Sequence, residues 1–140
     1  MSNNGRKLNQ YLSDLQRLST DATNLTNAFH RAVIVIDSFK ADPRPIVADR
    51  NFIDVTEAQL YNDQQNLALE LNVLNQRLQS FTGRPLNPND HMSMLVLGSD
   101  YGQWTDRYMS LIVTPSMNVV QHIQNSQFQF QQTLGGVAHV

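Results

Sequence analysis

The sequence predicts an all-α protein, an up-and-down bundle of three long helices with the third broken near Pro115, effectively four helices. Three observations carry this expectation. Apolar residues recur every seven positions from Leu8 to Phe39, over nearly five heptads. A second apolar stripe runs from Leu60 to Phe81 and meets Gly83 and Pro85. A third apolar run is interrupted at Thr114-Pro115, a pair that starts helices because proline suits the first helical position. At 140 residues the chain has the size of one domain. Residues 1–140 are expected to form a single helical-bundle domain, with 1–7 and 135–140 as flexible termini.

The first helix rests on two interleaved heptad sets. Leu8, Leu15, Ala22, Phe29 and Ile36 form one, and Tyr11, Leu18, Leu25, Ala32 and Phe39 the other. Together they make a coiled-coil-like stripe along about 30 residues, roughly 45–50 Å of helix. The prolines of Asp42-Pro43-Arg44-Pro45 stop it. Residues 42–55 read as a loop, with a short extended piece at Phe52-Ile53. The second helix starts at Asp54 or Thr56, each followed three residues later by the acidic or amide partner of a capping box. Its stripe is Leu60, Leu67, Leu71, Leu74, Leu78 and Phe81, flanked by Leu69 and Val73, and Gly83 is its expected C-cap. Asp90 is positioned to cap a third helix, which Gly98 and Gly102 weaken or break locally. Tyr101, Trp104, Tyr108, Leu111 and Ile112 restore helical spacing. A last helix then begins at Thr114 or continues with a kink at Pro115. Its apolar face runs through Val119, Val120, Ile123, Phe130 and Leu134, and Gly135-Gly136 is expected to end it.

The polar complement is amide rather than charge. The chain holds 14 Asn and 14 Gln but only two Glu and two Lys, and charged residues make up 16%. Helix faces normally carry Glu and Lys, which favour helix and form i,i+4 pairs. Here Asn, Gln, Ser and Thr occupy those faces, which leaves little electrostatic protection against self-association. The formal charge of -2 argues against a surface that is cationic throughout. No cysteine is present, so disulfides, thiolate metal sites and cysteine nucleophiles are excluded. No apolar run approaches the roughly 18–20 residues that span a bilayer, and the start Met1-Ser2-Asn3-Asn4-Gly5 does not read as a signal peptide. The expected location is therefore the cytoplasm or a virion.

No constellation for chemistry emerges. His30, His91, His122 and His139 fit no metal-ligand spacing, with His122 read onto the exposed side of the last helix. There is no nucleophile elbow and no glycine-rich phosphate loop. No catalytic residue, metal or cofactor is expected, and the protein reads as a non-enzyme. The densest aromatic segment, Tyr101 to Tyr108, has two readings: a core anchor, or an interface hot spot built on Tyr101, Trp104, Arg107 and Tyr108. Phe29 and Ile36 join the interface candidates, because so long a stripe exceeds what a 16 kDa bundle needs. Arg44, Arg50 and Arg84 are candidates for gripping phosphate, although Asp42, Asp49 and Asp54 offer them local salt bridges instead.

These features favour a structural subunit that self-assembles as a homo-oligomer through helix packing, most concretely a coat-type component of a virus or phage particle. One alternative is an adaptor module that binds a partner protein through its aromatic face. Another is a nucleic-acid-packaging subunit that uses the loop arginines.

Overall fold

A computed structural model describes residues 3–138, and every regular element in it is helical. The helices are α1 (Asn3–Leu25), α2 (Asn27–Ala41), α3 (Arg50–Gln79), α4 (Asp90–Tyr108) and α5 (Thr114–Ala138), with a π-helical segment at Met109–Val113 before α5. They group into two compact units. The first holds the residues up to Thr26 together with Gln65–Met109, and the second holds Asn27–Gln64 together with the residues from Ser110 onward.

In the first unit, α1, the second half of α3 and α4 pack around a common core. Leu8, Leu15 and Ala22 of α1, Leu67, Leu71, Leu74 and Leu78 of α3, and Met94, Leu97, Tyr101, Trp104 and Tyr108 of α4 are all buried. Contacts between α3 and α4 pair Arg77 with Asp100 and Glu70 with Arg107, residue numbers with a constant sum, so these helices run antiparallel. Tyr11 stacks on His91 and Leu15 lies beside Gly98, so α1 and α4 run parallel. The second unit repeats the pattern with α2, the first half of α3, and α5. Its core contains Phe29, Ala32, Ile36, Phe39, Ile53, Leu60, Ile112, Val119 and Ile123.

The expected 30-residue first helix is instead two, separated by a turn at Thr26. The cause is local. Thr20, Thr23 and Thr26 each direct a hydroxyl back to a main-chain carbonyl three or four residues earlier, at 3.0, 3.0 and 2.6 Å. Such back-bonding bends helices and competes with their main-chain ladder. The stripe survives the break, and all of Leu8, Leu15, Ala22, Phe29 and Ile36 are buried within the chain. Of the second set, Ala32 and Phe39 are buried while Leu18 is exposed.

The start of α3 also differs from expectation. Asp49, not Asp54 or Thr56, is the N-cap, its carboxylate accepting the Phe52 N–H at 3.0 Å. Residues 50–55 are therefore helical, and Phe52-Ile53 is not extended. Ile53 is buried and opens a heptad series continued by Leu60, Leu67, Leu74 and Phe81. Leu69 and Val73, expected to widen this stripe, point outward. At the other end a turn leads to Gly83, whose φ of 76° only glycine adopts freely.

Gly98 and Gly102 do not interrupt α4, and Pro115 does not stop the chain from remaining helical. A proline ring collides with the carbonyl four residues before it. The wider π segment immediately upstream gives that carbonyl room, which explains a deformation without a break. Gly135-Gly136 lies inside α5 instead of ending it, and α1 begins at Asn3. Of the two stretches expected as flexible termini, residues 3–7 lie in α1 and 135–138 in α5; residues 1, 2, 139 and 140, His139 among them, lie outside the described residues.

Candidate functional site

The aromatic segment of α4 is core. Tyr101 and Tyr108 have no exposed surface and Trp104 is 2% exposed. Trp104 stacks on Tyr108 with ring centroids 4.8 Å apart, and its indole N–H donates to the Leu67 carbonyl at 2.8 Å. Tyr101 donates its hydroxyl to Asn75 Oδ1 at 2.6 Å, and Ser19 donates to the same oxygen at 2.7 Å. Burial raises the Tyr101 phenol above its ordinary value, so it stays protonated as that donor. One amide oxygen thus joins α1, α3 and α4 of the first unit. Sequence reading passed over Asn75, because nothing in a single helix marks which of 14 asparagines meets a buried hydroxyl. Phe29 and Ile36 are buried in the second unit. Of the proposed interface residues, only Arg107 stands at the surface, paired with Glu70 at 2.6 Å.

The loop arginines are each held by local partners. Arg44 meets the Asp42 carboxylate through Nε and Nη2 and lies over the Phe130 ring. Arg50 lies over Phe39, 4.9 Å from its centroid. Arg84 grips Asp90 with both terminal nitrogens, at 3.0 and 2.9 Å, and donates to the Ser80 and Pro85 carbonyls. A guanidinium neutralised by a bidentate carboxylate has little attraction left for phosphate. Arg84 is better described as the clamp of the connection between α3 and α4.

Asp90 is correspondingly the first residue of α4 and not its cap. Its carboxylate turns back to Arg84 and to the Asn87 N–H at 2.9 Å. These two partners, Arg84 first, hold its carboxyl at about 2, below the ordinary 3.8. A carboxyl lowered on folding contributes its full stability above the unfolded value near pH 4 and loses it as pH falls through about 2. Melting temperature is therefore expected to fall between pH 5 and pH 2, with Asp90→Asn less stable at pH 7 but showing a shallower acid limb. Thermal melts by circular dichroism at stepped pH check this; parallel curves for the two proteins would remove the clamp's role.

His122, expected on an exposed helix face, is half-buried and accepts the Asp49 N–H through Nε2 at 2.9 Å. It thereby ties α5 to the start of α3 within the second unit. Among the described residues no group of three or more His, Asp or Glu side chains is placed to hold a metal ion. None of the described helices is long and apolar enough to cross a membrane.

The described residues carry several surface grooves, two of which bear on association. In the second unit, Ala28, Ile34 and Val35 of α2 face Met117 and Val120 of α5 across about 330 Å³, with Ile34 and Met117 each 64% exposed. In the first unit, Val73 of α3 and Gln103 of α4 border a groove of about 340 Å³ whose rim is charged. No family model, curated protein or solved structure matches the chain.

Proposed function

We propose that this chain is a non-enzymatic structural subunit that self-assembles through helix packing, in its most concrete form a coat-type component of a virus or phage particle. Its working place on this reading is the cytoplasm or the particle itself, and its partner is a second copy of the chain. The long stripe of Leu8 to Ile36 does not supply the contact, because it is consumed inside the chain. The supporting observation is the groove of the second unit, where large aliphatic side chains stand in water beside one another. Contiguous apolar surface of this kind marks interaction sites, whereas single exposed apolar residues are ordinary. The polar residues of its lining are Arg31, Ser116 and Gln124, and the chain as a whole, 16% charged, opposes association little.

Size-exclusion chromatography with light scattering is expected to show oligomers at micromolar concentration, and negative-stain microscopy to show regular particles on concentration. Ile34→Asp together with Met117→Asp should shift the distribution towards smaller species without loss of helicity. A monodisperse 16 kDa species at high concentration would sink the proposal.

A further inference from the structure

The rim of the first-unit groove has a charge arrangement that matches its own copy. On α3, Glu70 and Arg77 stand two turns apart on one face; on α4, Asp100 and Arg107 do the same. Because the helices are antiparallel, Glu70 sits opposite Arg107 at 2.6 Å and Arg77 opposite Asp100 at 2.7 Å. Each corner of this rectangle therefore has the opposite sign to both its neighbours, and diagonal corners share a sign. Val73 lies midway along the α3 edge, 55% exposed, beside Leu69 at 61%, and Gln103 lies midway along the α4 edge.

We infer that this α3–α4 face is a two-fold interface between two copies of the chain. The inference rests on the self-assembly reading above and names the surface that begins the assembly. A two-fold interface maps a patch onto itself, about an axis lying in the interface plane. If the axis runs along the helices, Glu70 meets the region of Arg107 in the second copy and Arg77 that of Asp100. If the axis crosses the helices, Glu70 meets the region of Arg77, and Asp100 that of Arg107. In both arrangements every corner faces its opposite sign. A patch with one net sign, or with like charges along one edge, lacks this property. The outward Leu69 and Val73 supply apolar area to bury, while the charges select the partner and the register.

The test uses two variants of the full chain. Val73→Asp places a charge at an exposed helical position, so helicity and melting are expected to stay near wild type while the dimer dissociation constant rises at least about tenfold. The second variant exchanges both pairs at once: Glu70→Arg, Arg107→Glu, Arg77→Asp and Asp100→Arg. It preserves each pair within the chain and the alternation of signs, so it is expected to dimerise with itself. Mixed with isotope-labelled wild type, it places like charges at all four corners for either axis. Native mass spectrometry should then show homodimers and mixed dimers depleted at least about tenfold from the statistical share. Should the exchanged variant fail to fold, Val73→Asp alone decides. A wild type that assembles, with Val73→Asp unchanged or mixed dimers at the statistical level, overturns this face but leaves self-assembly standing. A wild type monomeric throughout overturns both.

Discussion

Phe29→Asp is expected to abolish the cooperative folding of the unit built from α2, α3 and α5. Phe29 is 7% exposed and its ring meets Tyr61 edge to face, centroids 5.4 Å apart at 87°. Removing such a ring costs about 3–5 kcal/mol, and burying a carboxylate in its place adds several more. Domains of this size have a total margin of about 5–15 kcal/mol, so the substitution uses most or all of it. Far-ultraviolet circular dichroism at 25 °C should show a large loss of helical signal. Phe29→Leu, which keeps the site apolar and loses only part of the volume, should cost less, about 1–2 kcal/mol, and serves as the control. A wild-type melt for the Asp variant would place the Phe29 ring in solvent and contradict the register of α2.

Trp104→Ala is the second large effect, about 3–5 kcal/mol, because it empties the centre of the first unit. The indole stacks on Tyr108, sits at 2% exposure and donates to the Leu67 carbonyl. Trp104→Phe retains a ring and loses that bond, and should cost less, about 1–2 kcal/mol. Urea titrations followed by circular dichroism measure both, read as midpoint shifts at constant slope. The chain has a single tryptophan, so native wild-type fluorescence should be blue-shifted and move to the red on unfolding. The pair of variants also separates core from interface. A core tryptophan changes stability at every protein concentration, whereas an interface tryptophan changes the oligomeric state and leaves the monomer's melt intact.

Much of the fold was legible because helical periodicity is a local property. Leu60, Leu67, Leu71, Leu74 and Leu78 share one side of α3 by spacing alone, and all are buried. The start of α3 is not legible in the sequence, for an equally local reason. Asp49 and Asp54 are both competent caps, and only the burial of Ile53 decides that the helix begins at the earlier one. Thr26 escaped notice because one threonine is tolerated in a helix; three that back-bond in succession are not neutral.

The candidate site was far less legible. Arg44 and Arg84 looked alike in sequence, each beside a proline, and both are spent on a carboxylate. Asp42 lies two residues from Arg44 and could be foreseen, whereas Asp90 reaches Arg84 only through the turn that Gly83 makes possible. The apolar segment around Trp104 carried the same spacing whether it faced a neighbouring helix or a neighbouring molecule.

By itself the sequence determined that the chain is helical, which residues share a side of each helix, and that its surface would be rich in amide and poor in charge. Those properties depend on side chains three, four or seven positions apart, which a single helix already brings together. The tertiary structure decided what covers each side. It placed Trp104 and Ile36 inside, left Val73 and Ile34 outside, and set Glu70 opposite Arg107 and Arg77 opposite Asp100. Those outcomes depend on the direction and register of a helix 20 or more residues away, and the 3.6-residue period of one helix carries no information about the register of another.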